Sequence, residues 1–532
     1  MRRLLAAIAL TLALLAAALG ACGSGGEETE PERKNAGEPR PTPPAARKVA
    51  DLPNVIFIYT DDQVLSDFTP ETMPKTHELL VDRGTTFSDF VVATPLCCPS
   101  RATYLTGDYP HGTGVFSNRG GYRLLNDKFN TLPVWMHNAG YRTAWIGKYL
   151  QGYDMYKENP YDTPAPGVDI WHATFEPRYY SYGIADDNNR VHKATKPNDY
   201  FTSVVNDFAV ETIREEAKNK RPLYMTVNNL APHTGSGRGG RCSDLVVPGP
   251  RDEALFKGAQ VPRNASFNEA DVSDKPDFIP TRPLTRERTR QIDLAYGCRL
   301  ASLRAVDRGI EDIYDAVRKT GELDNTVFFF TSDNGILQGQ HRLGGKNVPY
   351  EEGIHMPLVT LAGSKVFDGR AESRVTELTA NVDLAPTILE IGKAEPCARP
   401  GNCRQLDGRS LVPLMEGTDD PEKFGFGPDR EVLIEGGKTR SDCFYAGVRT
   451  PRLVYMEYAE QTGSGCIRDA QTELYDLTGS LTGTADPGQL QNLTSPQVEG
   501  SGDTTVIKAA QRLKRSLEAL RGCEGKTCRS AG

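Results

Sequence analysis

Histidine is scarce and positive charge is in deficit: the chain of 532 residues holds 8 His, and 62 Lys and Arg stand against 70 Asp and Glu, a net charge of −8. Neutralising a nucleic-acid backbone takes an excess of Lys and Arg, so general nucleic-acid binding is excluded. The sequence also lacks a G-x-S-x-G elbow, a Walker A loop and an H-E-x-x-H pair, which removes the main support for serine-hydrolase, P-loop and zinc-protease chemistry. Beyond residue 21 no run is apolar enough to span a bilayer, and no internal repeat is present. What remains is a globular composition, with 38% hydrophobic, 8% aromatic and 25% charged residues. The length allows one large domain and a smaller one with ample core.

Met1 to Ala21 places two arginines before a short apolar run that ends in small residues, the pattern of a secretory signal. Leu19-Gly20-Ala21-Cys22 resembles the lipobox of bacterial lipoproteins, in which the cysteine is lipidated and becomes the mature N-terminus. The polar, Pro/Gly/Glu-rich stretch over residues 22–51 is then a tether that holds a folded domain off the membrane. Together these features predict an exported chain, anchored through lipid on Cys22 to the outer face of the bacterial cell membrane. Ordinary cleavage beside an incidental Cys22 is the other reading.

Export makes the remaining cysteines candidates for disulfides. Cys397 with Cys403 and Cys523 with Cys528 are short-loop pairs, Cys443 with Cys466 would staple a hairpin, and Cys242 with Cys298 would tie an insertion to a helix. The adjacent Cys97 and Cys98 stay unassigned, because vicinal cysteines bridge each other only with strain.

Residues 54–60 (NVIFIYT) form a continuous β-rich run, the mark of a strand buried on both faces, and end at once in Asp61-Asp62. Carboxylates at the C-terminal end of such a strand sit where α/β sheets place ligands. The pattern recurs: a helix over 132–138 precedes a strand over 141–146, a helix over 202–218 precedes a strand over 223–230, and a long helix over 285–319 leads into a strand over 325–331. That last strand ends in Ser332-Asp333-Asn334-Gly335. Alternating helices and buried strands predict an α/β fold with a central, mainly parallel sheet flanked by helices, over 52–392. Residues 393–532 read as a smaller α+β subdomain, with strands at 430–434, 444–448, 453–458 and 473–477 and an amphipathic helix over 504–520. Residues 235–283, rich in Gly, Pro and charge, read as a surface insertion that shapes the pocket. The G-x-G-x-x-G match over 235–240 is rejected as a dinucleotide site, since Pro248 and Pro250 follow where a helix is needed. Arginines 282, 286, 288, 290, 299 and 304 are expected to decorate a solvated helix face, with a polyanion patch as the lesser reading.

The informative stretch is Thr94 to Gly107, TPLCCPSRATYLTG. Pro99-Ser100-Arg101 is a good helix entry, so Cys97 lies at or just before a helix N-terminus, where backbone N–H groups favour an anion and Arg101 adds forked donors. Asp61, Asp62, Asp333 and Asn334 together offer all-oxygen ligation, which suits Ca²⁺ or Mg²⁺ rather than zinc.

Cys97-Cys98-Pro99-Ser100-Arg101, followed by Leu105-Thr106-Gly107, resembles the C-x-P-S-R signature of type I sulfatases. The resemblance extends through NVIFIYTDDQ, GKY at 147–149, APH at 231–233, TSDNG at 331–335, GKNVPYEE at 345–352 and ELYDL at 473–477, covering roughly residues 52–520. The double Cys and GKYL look most like the N-acetylglucosamine-6-sulfatase branch. The family implies an alkaline-phosphatase-like fold and oxidation of Cys97 to formylglycine (3-oxoalanine) by a formylglycine-generating enzyme. It also implies one divalent cation, Ca²⁺ before Mg²⁺, held by Asp61, Asp62, Asp333, Asn334 and the modified Cys97. Arg101 would orient the aldehyde hydrate, Lys148 and Lys346 would hold sulfate oxygens, and His233 would contact or protonate the leaving oxygen. One hydrate oxygen attacks sulfur and releases the alcohol; the other loses its proton and expels sulfate. The implied substrate is a sulfate ester, with a sugar 6-O-sulfate such as N-acetylglucosamine 6-sulfate favoured.

One departure stands out. Many arylsulfatases carry His two positions after the Lys of the GK motif, where this chain has Leu150, and His341 is the replacement considered. Two alternatives stay open on the sequence alone. One is a phosphodiesterase or phosphonate monoesterase of the same superfamily, whose members generally carry His where this chain has Asn334. The other is a non-catalytic, surface-displayed lipoprotein that binds a sulfated glycan.

Overall fold

The computed structural model describes residues 52–530 apart from 177, 187–188, 194–195, 236–239, 244, 368–372, 438–443, 463–464 and 496–502. The signal, the tether, Cys22, Cys443 and most of the G-x-G-x-x-G stretch lie outside the described residues. Eight strands make the large sheet: β1 (Asn54–Thr60), β2 (Thr85–Phe87), β3 (Arg142–Lys148), β4 (Ile170–Thr174), β5 (Leu223–Asn228), β6 (Thr326–Ser332), β7 (Leu358–Ala362) and β8 (Arg374–Val375). Their order is β8-β2-β7-β6-β1-β5-β3-β4. The run β6-β1-β5-β3-β4 is parallel, whereas β7 pairs antiparallel with β6 and β2. The result is the mainly parallel mixed sheet expected from the alternation of helices and strands.

Strand periodicity sorts β1 between two cores. Val55, Phe57 and Tyr59 face one side, while Ile56 and Ile58 face the other. On the second side α3 (Phe201–Asn219) and α4 (Arg286–Thr320) cover the sheet through Val205, Ile213, Leu303, Val306 and Ile310. On the first side lie α1 (Cys97–Thr106), α2 (Leu132–Asn138) and α5 (Leu384–Gly392). All ten residues of α1 are buried, so the helix that begins with Cys97 runs through the interior.

The C-terminal antiparallel sheet comprises β9 (Val432–Gly437), β10 (Phe444–Arg449), β11 (Leu453–Thr462) and β12 (Gly465–Asp476). Helix α6 (Thr504–Leu520) packs on it through Leu513 and Leu517, and this sheet shares one apolar core with the α1 side of the large sheet. Among the described residues three disulfides fall where the cysteine spacing placed them: Cys242–Cys298, Cys397–Cys403 and Cys523–Cys528. Cys97 and Cys98 are free and buried. Between Asn228 and Arg286 no helix or strand forms among the described residues, consistent with an insertion. Among the described residues no helix is long and apolar enough to cross a membrane.

A half-buried histidine joins the two parts. His111 Nδ1 lies 2.8 Å from Glu435 Oε1 on β9, and Nε2 lies 2.9 Å from the Cys523 carbonyl. Burial pulls its pKa down, but the hydrogen bond and charge of Glu435 outweigh this and raise it to about 9. A raised folded-state pKa gives stability that is fully present below the ordinary value and is lost as pH rises through about 9. Wild-type protein should therefore lose roughly 2–3 kcal/mol between about pH 6.5 and 9.5, and His111→Gln should flatten that slope. Urea unfolding across this range measures it; parallel slopes would refute the assignment.

Candidate active site

Three loops at the C-terminal ends of β1, β5 and β6 converge with the start of α1. Strand β1 delivers Asp61 and Asp62, both buried, and Asp62 takes a left-handed backbone with φ 68°. Strand β6 delivers Asp333 and Asn334, and the Asp62 N–H donates to Asp333 Oδ1 at 3.2 Å. Cys97 is the first residue of α1, as its Pro99-Ser100 helix entry predicts, and its Sγ lies 3.5 Å from Asp61 Oδ1 and 3.9 Å from Asp62 Oδ1. Ligand atoms of Asp61, Asp62, Cys97 and Asp333 all fall within 4.8 Å of one another. Asn334 Nδ2 donates to Asp62 Oδ1 at 2.7 Å, while its buried Oδ1 has no hydrogen-bond partner among the described residues. Carboxylate oxygens beside an unpartnered amide oxygen form a donor set that fits a hard divalent cation.

Cationic side chains close the other side. Lys148, at the end of β3, pairs with Asp61, and Lys346 Nζ lies 2.7 Å from Asp62 Oδ1 and 2.9 Å from Cys97 Sγ. Gly147 precedes Lys148 with φ 96°, and a Cβ there would come 2.1 Å from the Asn228 carbonyl, so only glycine lets β3 lie this close to β5. Arg101 is 1% exposed; its Nε donates to Asp333 Oδ2 at 2.8 Å and its Nη1 to Asn228 Oδ1 at 3.1 Å, and its guanidinium lies over the Tyr59 ring. His233 follows β5, with Nε2 3.7 Å from Asp62 Oδ2 and Nδ1 2.5 Å from the Thr234 carbonyl.

Charge is balanced within the cluster. Burial pushes Asp61 up, but Lys148, His233, Arg101 and Lys346 together hold it well below the carboxylate range. Asp62 is likewise lowered against burial, chiefly by Lys346 and His233. Asp333 moves up, through burial and the charge of Asp61. Burial lowers Lys346, yet Asp62, Cys97 and Asp61 raise it well above the ordinary lysine value. Burial followed by Asp61 pushes the Cys97 thiol far up, so the unmodified side chain stays protonated and is a poor nucleophile.

All of the residues singled out by sequence for catalysis or metal binding meet here: Asp61, Asp62, Cys97, Arg101, Lys148, His233, Asp333, Asn334 and Lys346. His341 is set apart. It is buried, with Nδ1 2.7 Å from Glu269 Oε2 in the insertion, and it stacks on Tyr350. One expectation is corrected. Arg299 does not decorate a solvated face; it is 2% exposed and donates to the Asp62 carbonyl at 2.5 Å, the Pro232 carbonyl at 3.1 Å and Asp67 Oδ2 at 3.1 Å. Its position had a signal, since 299 falls on the apolar stripe of α4 with Leu303, Val306 and Ile310, and a long helix can bury a charge that finds partners. Asn228, which accepts from Arg101, was also missed and carries no sequence signal beyond its place at the end of β5.

A family model described as Sulfatase matches residues 53–394. The N-acetylglucosamine-6-sulfatase of Homo sapiens is 30% identical over 526 residues, covering 90% of this chain and 86% of its own. An arylsulfatase of Volvox carteri is 30% identical over 515 residues, covering 90% of this chain and 75% of its own. The solved structure of BT4656 in complex with its substrate D-glucosamine-2-N,6-O-disulfate matches with a TM-score of 0.65 at 21% identity, over 88% of this chain and 98% of that one, a likeness of fold. The matched segment runs from the strand that delivers Asp61 and Asp62 past the loop that delivers Lys346, and this chain belongs to the sulfatase family of enzymes.

Proposed function

We propose that this site hydrolyses a sugar 6-O-sulfate, with N-acetylglucosamine 6-sulfate as the leading candidate, using Cys97 in its formylglycine form. The observation that carries the reading is the meeting, at the N-terminus of α1, of Cys97 with three buried carboxylates, an unpartnered amide oxygen and two ammonium groups. Asp61, Asp62, Asp333 and Asn334 would hold one divalent cation, Ca²⁺ before Mg²⁺, with the side chain at 97. Such a cation would supply positive charge to stabilise the sulfate and attacking oxygens. Lys148 and Lys346 bind sulfate oxygens. Arg101, fixed by Asp333 and Asn228, orients the side chain at 97. His233 donates its Nδ1 proton to the Thr234 carbonyl and, as the imidazolium carrying a second proton on Nε2, hands that second proton to the departing sugar oxygen. The sugar specificity is supported by the names of the human relative and of the ligand in the matched structure.

Cys97 is 1% exposed at the head of a fully buried helix, so the formylglycine-generating enzyme must meet this segment before α1 packs. The disulfides of the described residues suit an oxidising compartment, in keeping with export. The test compares N-acetylglucosamine 6-sulfate with phosphate and phosphonate monoesters, before and after chelation. Expected are turnover of the sulfate ester alone, a fall of about 100-fold or more on chelation, and recovery with Ca²⁺. Preference for a phosphonate monoester would move the site to phosphoryl chemistry; binding of the sulfated sugar without turnover by formylglycine-bearing protein would make it a lectin.

A further inference from the structure

We infer that Arg299 is a positioning residue that sets the metal cradle and the proton donor in register, an inference that rests on the reading of the site given above. The cradle residue Asp62 and the donor His233 belong to different loops, one after β1 and one after β5. Each loop presents a backbone carbonyl to the same guanidinium: Nη2 donates to the Asp62 carbonyl at 2.5 Å and Nη1 to the Pro232 carbonyl, immediately before His233, at 3.1 Å. Asp62 adopts φ 68°, a conformation that L-residues seldom hold without outside support. Its side chain meets Lys346, Asn334 and His233, so a rotation of this one backbone unit would displace several site groups together.

Arg299 is itself held on two sides. Asp67, fully buried, accepts from Nη2 at 3.1 Å, and the preceding residue, Cys298, is disulfide-bonded to Cys242 in the insertion. The long helix α4 therefore carries a rigid fork to the underside of the site. Arg299 reaches carbonyls and not the reacting groups, so it acts through Asp62 and His233. Lysine could keep a charge beside Asp67, but a single ammonium lacks the planar fork that spans two carbonyls.

The test measures Ca²⁺ affinity by calorimetry on chelator-stripped full-length enzyme, and kcat on N-acetylglucosamine 6-sulfate at saturating Ca²⁺. It uses wild type, Arg299→Lys, Arg299→Gln and, as a control on the exposed face of α4, Arg290→Lys. Arg299→Lys should fold, bind Ca²⁺ about 10- to 100-fold more weakly and lose about 10-fold or more in kcat at saturation, with Arg299→Gln at least as affected and Arg290→Lys unchanged. A folded Arg299→Lys enzyme with wild-type Ca²⁺ affinity and kcat would overturn the inference. So would an Arg299→Lys chain that fails to fold, since the guanidinium would then be holding the core. If wild type neither binds Ca²⁺ nor turns over the sulfate ester, the reading of the site fails first and independently of Arg299.

Discussion

Cys97→Ala should lower kcat/KM for sulfate-ester hydrolysis by at least about 10³-fold while leaving the protein folded and able to bind Ca²⁺. The substitution removes one buried sulfur at the first position of α1, where alanine suits the helix and no disulfide is lost. Asp61, Asp62, Asp333 and Asn334 remain, so most of the oxygen donor set survives. What disappears is the proposed attacking group; the lysines stay paired with Asp61 and Asp62 and His233 lies beside Asp62, so none of them supplies a replacement aldehyde. Steady-state kinetics with calorimetric Ca²⁺ titration on the same preparation measures both halves. Activity within about 10-fold of wild type would show that the nucleophile lies elsewhere.

His233→Ala should cost about 10²- to 10⁴-fold in kcat on a sugar sulfate and far less on 4-nitrophenyl sulfate. A sugar alkoxide is a poor leaving group and needs its proton in the transition state, whereas a nitrophenolate departs without one. The loop holds His233 with Nδ1 on the Thr234 carbonyl and its own carbonyl accepting from the Tyr179 hydroxyl at 2.8 Å, which leaves Nε2 to face the site. Equal losses on the two substrates would indicate that His233 binds sulfate and does not protonate the departing oxygen. The comparison therefore separates two roles that removal of an imidazole alone would confuse.

Much of this was legible in the sequence because the chemistry sits on regular elements. Asn54–Thr60 reads as a doubly buried strand and is one, and the carboxylates that follow it land at the sheet's C-terminal end. Helices Leu132–Asn138 and Thr504–Leu520 have the bounds their apolar spacing suggests. The C-x-P-S-R stretch announced the helix that begins at Cys97. Strand β7 was not read from the sequence, since five residues give too short a period-two pattern to mark a strand or its direction. Arg299 was misjudged for a different reason. Charge on a long polar helix usually means solvent, and the partners that bury this one are backbone carbonyls of Asp62 and Pro232, which no side-chain pattern reports. His341 sits in a separate buried group with Glu269 and Tyr350, because the insertion that supplies Glu269 folds back onto its loop.

The proposed chemistry requires residue 97 to be an aldehyde in the working enzyme. Mass spectrometry of the tryptic peptide from Gly84 to Arg101, taken from protein made in its native host, reads this directly. The expected peptide carries formylglycine at Cys97 and a thiol at Cys98. An unmodified Cys97 in folded, fully active protein would contradict that chemistry.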